Sequence, residues 1–256
     1  MKAPSLTPNP APWFGTDPKR PQEYRGLRVC ADTHLHDQIF DLVTRILPSS
    51  RTGGPGPRLV ADLGCGQGAL AQRLSDQGYR VIAVDIEEHG FQASGAEFYP
   101  LNLDDAASRT TFADRWANQV DLVLAVEIIE HLRSPWNFLA FCHRLAQPKG
   151  HLIVTTPNVA SWWSRLWFFI RGEPWGFGPE SWYDPGHIHA FTHTELSHML
   201  EECGFEVQAV YPAGNLPVIW AYNWKRLLAS LLMLPLRPLM RGFKDGWVLC
   251  YHALKR

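Results

Sequence analysis

The stretch from Leu59 to Leu70 most strongly constrains the fold: an apolar run enters three alternating glycines and then a helix-like segment. Glycine allows a sharp turn and lets a ligand approach bare backbone, and the helix that follows presents unpaired N–H groups. The spacing is G-x-G-x-G, with Asp62 two residues before the first glycine. The dinucleotide fingerprint is G-x-G-x-x-G, with a later third glycine. The turn therefore predicts a nucleotide-binding site that differs from that of NAD enzymes.

The segments around this turn alternate between strand-like and helix-like patterns. Residues 37–47 carry apolar side chains at helical spacing, and residues 79–85 form an apolar run that ends in Asp85. Residues 121–127 and 150–158 are further apolar runs of strand length. Short buried strands that alternate with helices predict βαβ units and a parallel sheet.

These motifs resemble those of class I S-adenosylmethionine-dependent methyltransferases, and the resemblance spans most of residues 58–211. It implies an α/β fold with a doubly wound, mostly parallel seven-stranded sheet. Residues 206–211 and 246–254 would form its terminal antiparallel pair. The glycine turn would hold the amino acid part of the cofactor, and Asp85 would bind the ribose hydroxyls. Asn102, or Asp104 in another register, lies where the family contacts adenine. The implied cofactor-binding residues are Asp62, Gly64, Cys65, Gly66, Gly68, Asp85, Asn102, Leu103 and Glu127.

A second motif, Glu127-Ile128-Ile129-Glu130-His131, follows the fourth predicted strand. If this segment is helical, its two carboxylates and its imidazole share one face, where they suit a divalent cation. The motif is similar to one in ubiquinone-pathway O-methyltransferases and small-RNA 2'-O-methyltransferases, where a metal would lower the pKa of a substrate hydroxyl. One hypothesis is a Mg or Mn site formed by Glu127, Glu130, His131 and His187, with His189 as an alternative ligand. The other is a metal-free cleft, in which His131 and His187 are the candidate catalytic residues.

The composition limits the other possibilities. A chain of 256 residues with 46% hydrophobic and 19% charged residues predicts one globular domain. The net charge of -1 provides no global field for nucleic acid, so no nucleic-acid partner is expected. Five scattered cysteines and an N-terminus without an apolar signal core indicate a cytoplasmic location. Residues 1–26 read as a disordered or extended, proline-rich tail, and residues 27–256 as the methyltransferase domain.

Two apolar inserts, at about 160–183 and 214–241, distinguish this chain from a minimal domain. Charged residues and prolines divide both into pieces shorter than the ~20 apolar residues of a bilayer span. One interpretation is a cap that packs on the core. The other is an interfacial surface or a pocket for an apolar substrate, because aromatic and basic residues adjoin. The second interpretation predicts peripheral contact of residues 216–240 with the inner face of the membrane.

The preferred functional hypothesis is an S-adenosylmethionine-dependent methyltransferase that acts on an oxygen of a small-molecule, glycan or lipid-linked acceptor. Two alternatives are a noncatalytic binding protein with the same fold and a nicotinamide-dependent oxidoreductase. The intact cofactor motifs disfavour the first alternative. The early third glycine and the lack of a Tyr-x-x-x-Lys pair disfavour the second.

Overall fold

A computed structural model describes residues 11–15, 22–49, 51, 56–86 and 90–256 of the chain. Most of these residues form one seven-stranded sheet with helices on both faces. The strands, in chain order, are β1 (Phe14–Gly15), β2 (Gln22–Tyr24), β3 (Leu27–Val29), β4 (Leu59–Leu63), β5 (Arg80–Asp85), β6 (Glu97–Pro100), β7 (Val120–Ala125), β8 (Ala146–Pro157), β9 (Phe205–Ala213), β10 (Ile219–Trp220) and β11 (Val248–Lys255).

The central sheet has the strand order β6-β5-β4-β7-β8-β11-β9. The first five strands in this order are parallel, and β11 pairs antiparallel with both β8 and β9. Cys250 of β11, for example, lies between Thr155 of β8 and Tyr211 of β9. The predicted fold class is confirmed, including the terminal antiparallel pair.

Apolar clusters cover both faces of the sheet because successive strand residues point to opposite sides. Val60 and Val81 face a cluster with the first two helices, whereas Ala61 and Ile82 face a cluster with the third, fourth and sixth. The helices are α1 (Leu35–Ile46), α2 (Ala69–Asp76), α3 (Ala106–Trp116), α4 (Pro135–Leu145), α5 (Trp162–Arg171), α6 (His193–Glu202) and α7 (Trp224–Met233).

The growth of the sheet changes direction at β4, which has β5 on one side and β7 on the other. In open α/β sheets, ligands bind beyond the carboxyl ends of the strands at such a switch point. The glycine turn leaves the carboxyl end of β4 and leads into α2. The fold therefore positions the turn at the expected ligand edge.

The two inserts pack against each other outside the sheet, and we call residues 160–183 and 214–241 together the insert unit. Trp162 and Trp163 of α5 share a buried cluster with Trp220 and Met233 from the second insert. The Trp162 indole also donates to the Pro217 carbonyl, at 3.0 Å. A 3₁₀ helix, Leu234–Leu239, follows α7. Among the described residues, no helix combines the length and apolar character that a bilayer span requires.

Part of the predicted disordered tail has regular structure. β1 pairs in parallel with β10, and β2 pairs with β3. The physical reason for the first pairing is that β10 would otherwise leave backbone groups unpaired. The N–H groups of Val218 and Ile219 instead donate to the carbonyls of Pro12 and Trp13. Residues 14–15 and 22–24 of the predicted tail are therefore extended and paired rather than disordered, and the tail segments 1–10 and 16–21 lie outside the described residues.

Candidate active site

The three glycines of the turn all have positive φ: 78° at Gly64, 53° at Gly66 and 86° at Gly68. Glycine adopts such angles without the strain that a Cβ would add. A Cβ at Gly64 would lie 2.8 Å from Ile128, so the turn is packed directly against the Glu127–His131 segment. A Cβ at Gly66, in contrast, would meet no atom within 4 Å. The backbone of Gly66 therefore faces open space, as a ligand cradle requires.

A pocket enclosing about 380 Å³ of space, part of it open to solvent, lies in front of this turn. The walls come from β4, from the turn, from the residue after β7 and from the segment around the start of α1. The lining residues are Arg28, Cys30, Ala31, His36, Asp62, Gly64, Cys65, Gly66, Gln67, Leu70 and Val126.

Asp62 lines this pocket and is almost fully buried. Burial, and then the negative charge of Asp85, raise the pKa of Asp62 to about 7. Its Oδ2 has no hydrogen-bond partner within the described part of the chain. A buried carboxylate oxygen without a partner is costly, and it marks a position where a ligand donor or a cation would be stabilised.

The carboxylate of Asp85 lies at the carboxyl end of β5 and supports the turn. Its Oδ2 accepts a hydrogen bond from the Gly66 N–H at 2.8 Å, and its Oδ1 accepts one from the Ile86 N–H at 2.7 Å. Each carboxylate oxygen can accept a second hydrogen bond. Asp85 is thus able to accept from two hydroxyls while it holds the backbone of Gly66.

Hydrogen bonds hold both residues that were candidates for the adenine contact, Asn102 and Asp104. The Asn102 side-chain oxygen accepts from the Asp104 N–H at 2.9 Å, and Asp104 in turn accepts from the Arg133 N–H at 2.9 Å. Asn102 is exposed, whereas the Leu103 side chain is buried in the sheet cluster. Of the two candidate registers, Asn102 is the more accessible position.

Glu127 differs from the predicted arrangement of the second motif. Its φ is 52°, and only Ile129–His131 is helical, as a 3₁₀ turn. The Glu127 N–H donates to the Thr155 hydroxyl at 2.9 Å, and that hydroxyl donates back to the Glu127 carboxylate at 3.0 Å. The left-handed backbone and this reciprocal pair hold Glu127 against β8. The two carboxylates and His131 are therefore not spaced as on one helical face.

Three of the four predicted metal ligands nevertheless converge. Glu130, His131 and His187 offer ligand atoms that all lie within 4.8 Å of one another, and Glu127 is not part of this group. Glu130 is fully buried, and burial and then the Glu127 charge raise its pKa well above the usual range. Neither Glu130 oxygen has a hydrogen-bond partner among the described residues.

The backbone fixes the orientation of both imidazoles. His131 Nδ1 lies 3.2 Å from the Gly186 carbonyl, and His187 Nδ1 lies 2.9 Å from the Gly176 carbonyl. A carbonyl only accepts, so each Nδ1 carries a proton, and in the neutral ring the lone pair is then on Nε2. His131 Nε2 lies 3.9 Å from Glu130 Oε1, and burial lowers the pKa of His131. His131 is thus a neutral imidazole that can accept a proton or bind a cation.

The loop that carries His187 connects this cluster to the insert unit. The N–H groups of Ile188 and His189 both donate to the Glu130 carbonyl, at 2.9 and 3.2 Å. Gly176, whose carbonyl contacts His187, follows Trp175 in the chain. The Trp175 ring packs within the insert unit, with its centroid 5.8 Å from that of the Trp163 ring. His189 stacks on Phe191 and does not join the three-residue group.

The sequence did not identify the individual residues that form the N-terminal wall of the pocket. Arg28, Cys30 and His36 belong to no motif, and of the three only His36 lies in α1, next to the amphipathic pattern that predicts this helix. Burial, and then the Arg73 charge, lower the pKa of His36 to about 4. His36 is therefore a neutral hydrogen-bonding group beside the glycine turn.

Comparison with known proteins agrees with this geometry. Residues 31–210 match the family described as methyltransferase domain. A ubiquinone biosynthesis O-methyltransferase of a Caulobacter species is 33% identical over 113 residues, which are 43% of this chain and 44% of that protein. A probable S-adenosylmethionine-dependent methyltransferase of Mycolicibacterium smegmatis is 30% identical over 152 residues, or 59% of this chain and 53% of that protein.

A solved S-adenosylmethionine-dependent methyltransferase from Archaeoglobus fulgidus has the same fold, with a TM-score of 0.56 and 18% identity. That match covers 86% of this chain and 94% of the other. The chain spans about half the length of the curated relatives it matches. The family match nevertheless covers more than half of the chain and includes the turn, the switch point and the histidine cluster. The chain therefore belongs to the methyltransferase-domain family, of the class I S-adenosylmethionine-dependent type.

Proposed function

We propose that this chain transfers the methyl group of S-adenosylmethionine to an oxygen of a small-molecule, glycan or lipid-linked acceptor. The proposal rests on the contact between the glycine turn, which would bind the cofactor, and the segment that carries the candidate catalytic residues. The glycine turn, with its buried Asp62 and its Asp85 carboxylate, packs through Gly64 against Ile128, in the segment that holds Glu130 and His131. In the reaction the methyl C–S bond breaks, a C–O bond forms, and the acceptor hydroxyl loses its proton.

The cofactor roles follow from the donor set. Asp85 would accept from the two ribose hydroxyls, and the open backbone of Gly66 would allow close approach. Asp62 would face the positively charged amino acid part, because this residue lines the pocket and one oxygen of its buried carboxylate has no partner among the described residues. Asn102 and Leu103 would lie at the adenine end. These residues fit the cofactor, and they give a nicotinamide-dependent oxidoreductase no specific support.

His131 and His187 are the groups proposed to take up the acceptor proton. In both, the Nδ1 contact with a carbonyl places the lone pair of the neutral ring on Nε2, and the lowered pKa of His131 keeps it neutral and able to accept a proton near neutral pH. Methyl transfer from a sulfonium otherwise depends mainly on in-line positioning of the acceptor oxygen. The two rings, with centroids 4.9 Å apart, would form the wall against which that oxygen is held.

A divalent metal, Mg or Mn, is a finer part of this proposal. One carboxylate and two imidazoles with fixed tautomers form a suitable donor set, and the orphaned Glu130 oxygens fit a cation. When bound, such an ion would hold the acceptor hydroxyl and lower its pKa. Because the pKa of Glu130 is raised, binding would require this carboxyl to release a proton.

The insert unit supports an apolar or lipid-linked acceptor. Its aromatic cluster reaches Trp175, and the Phe177 ring lies 5.3 Å from the His187 ring. An apolar wall beside the two imidazoles suits an acceptor that carries a hydrocarbon or aromatic part. We also propose that residues 216–240 contact a membrane surface peripherally, because Tyr222 and Trp224 adjoin Lys225 in that segment.

The test measures S-adenosylhomocysteine formation from S-adenosylmethionine, with a dihydroxybenzoate and a bacterial lipid extract as separate acceptors. His131→Ala and His187→Ala are compared with His198→Ala, an exposed histidine on α6. Loss of a general base predicts a rate roughly 10²–10⁴-fold lower for at least one of the first two variants, with the third unchanged. Parent-like rates in both cleft variants would reject the assigned roles.

Two further arms of this assay separate the remaining readings. Exhaustive chelation should stop turnover and leave cofactor binding intact if the metal is used, and full activity after chelation would reject the metal. A parent chain that binds the cofactor but turns over neither acceptor would favour the noncatalytic alternative.

A further inference from the structure

The insert unit exposes an unusually large share of the apolar surface. Within the described ranges, the exposed large hydrophobic side chains all belong to this unit or to the adjoining Trp13 and Phe14, apart from Ile86 and Trp136. Such a concentration of exposed apolar side chains is typical of an association surface. The members in the insert unit are Phe168, Phe169, Ile170, Trp182, Tyr183, Tyr222, Trp224, Leu227, Leu228, Leu231, Leu232, Leu236 and Leu239.

The two insert helices are anchored on one side and uncovered on the other. α7 buries Ser230 and Met233, whereas Leu228, Leu231 and Leu232 are 49%, 49% and 63% exposed. α5 buries Trp162 and Trp163 in its first turn and exposes its last turn, where Phe169 is 87% exposed. The exposed leucines are therefore not part of a core, in contrast to the interpretation of this segment as a packed cap.

The charges on the two helical segments are of one sign. Residues 160–172 and 214–241 contain arginine and lysine but no aspartate or glutamate. Arg165 donates a hydrogen bond to the Arg241 carbonyl, and Arg237 forms an ion pair with Asp245, so both have partners within the chain. Arg171 lies over the Trp167 ring and Lys225 over the Trp224 ring, and the ion pairs found in the described ranges include neither.

Arg226 is the most distinctive of these cations. Its guanidinium lies 3.8 Å from the centre of the Trp220 ring and 4.2 Å from that of Trp163. Its buried Nη1 has no hydrogen-bond partner in the described part of the chain. These cation–π contacts fix a positive charge within the aromatic cluster of the insert unit.

We infer that the insert unit docks the protein onto the surface of a bilayer that contains anionic lipids. The apolar side chains of α5, α7 and the 3₁₀ helix would enter the acyl boundary. Arg171, Lys225 and Arg226 would meet the anionic headgroups. The inference extends the proposed contact of residues 216–240 to the first insert, and for the nature of the acceptor it rests on the proposed function.

The docking surface adjoins the catalytic pair. Arg226 lies 5.5 Å from the Trp175 ring, and the carbonyl of the next residue, Gly176, is the hydrogen-bond partner of His187. A membrane-bound orientation would thus bring the cleft next to the headgroup layer. The acceptor class that fits this arrangement is an amphiphile with its reactive hydroxyl in the headgroup.

The test is vesicle flotation of the full chain, with phosphatidylglycerol-containing and pure phosphatidylcholine vesicles compared at low and high salt. We expect binding to the anionic vesicles that weakens with salt. Leu228→Glu plus Leu231→Glu should lower the partition coefficient roughly tenfold or more, because apolar contact is lost and negative charge is added. Leu228→Ser plus Leu231→Ser should weaken binding less, because it removes only the apolar contact.

The matched control is Asn137→Glu plus Ala140→Glu, which adds two charges to exposed positions of α4. Its binding should equal that of the parent. Binding of S-adenosylmethionine by each variant, measured by calorimetry, shows that the domain is folded and tests the cofactor proposal separately. Failure of the parent to float with anionic vesicles, or parent-like flotation of the Leu→Glu variant, would overturn the inference. A parent that does not float but forms a dimer dissociated by these substitutions would assign the surface to self-association instead.

Discussion

The pKa of Asp62 predicts that the affinity for S-adenosylmethionine depends on pH near neutrality. Burial, and then Asp85, raise this pKa to about 7 in the unliganded protein. The cofactor carries a sulfonium and an ammonium, so the ionised carboxylate should bind it and the protonated form should not. With a pKa of about 7, the ionised fraction is about 0.9 at pH 8 and about 0.1 at pH 6. The apparent Kd should therefore rise about tenfold from pH 8 to pH 6, or about 1.4 kcal/mol.

The surroundings make this prediction specific to Asp62. His36 has its pKa lowered to about 4, and burial raises that of Cys65 far above neutrality, so neither lining group changes charge between pH 6 and pH 8. Since Asp85 contributes to the shift, Asp85→Asn should move the pH dependence to lower pH. Because the pKa of Asp62 is raised, its carboxyl is ionised above about pH 7 and protonated below it, so cofactor binding should strengthen as the pH increases.

The assay is isothermal titration calorimetry at pH 6, 7 and 8, in two buffers with different ionisation enthalpies. At pH 6, binding should release close to one proton, because the bound cation favours the ionised carboxyl. Asp62→Asn should bind more weakly at pH 8 and lose the pH dependence, whereas Asp41→Asn, on the exposed side of α1, should behave as the parent. Equal affinity of the parent at pH 6 and pH 8, or an undiminished pH dependence in Asp62→Asn, would refute the reasoning.

Four further predictions concern single substitutions. Asp85→Ala should weaken S-adenosylmethionine binding at least tenfold, because each hydrogen bond to a charged group contributes roughly 1.5–3 kcal/mol. A change under twofold would exclude the ribose role. Gly68→Ala should lower the free energy of unfolding by roughly 1–3 kcal/mol, since φ is 86° and the new Cβ would lie 2.6 Å from Phe91. Gly66→Ala should lower the free energy of unfolding less than Gly68→Ala but weaken cofactor binding more. If thermal melts and titrations gave the opposite order for the two variants, Gly66 would not be part of a ligand cradle. Glu130→Gln should raise the melting temperature at pH 8 in chelator but not at pH 4. Because the pKa of Glu130 is raised in the folded state, the stability of the parent falls as the pH increases above 4.5, where this carboxyl ionises in the unfolded chain. The same dependence of melting temperature on pH in Glu130→Gln and in the parent would contradict this role of Glu130.

The sheet and the glycine turn could be predicted because their signals are local. Apolar runs of strand length and the spacing of Gly64, Gly66 and Gly68 lie within a few residues of what they determine. The position of β11 between β8 and β9 followed only from the resemblance, because no local pattern indicates which strand inserts where.

The features that were missed depend on contacts between distant segments. β1 exists because β10 offers backbone partners about two hundred residues later in the chain. Glu127 adopts a left-handed φ because its backbone and carboxylate both bind Thr155 on the neighbouring strand. The insert helices pack on each other rather than on the sheet, and neither sequence pattern specifies its partner.

The central claim is tested most directly by calorimetric titration of the full chain with S-adenosylmethionine, S-adenosylhomocysteine and NADH at pH 8. We predict that the first two bind at one site per chain, that Asp85→Ala weakens both, and that NADH produces no binding heat. Binding of NADH, or no binding of either S-adenosyl compound by the folded chain, would contradict the account.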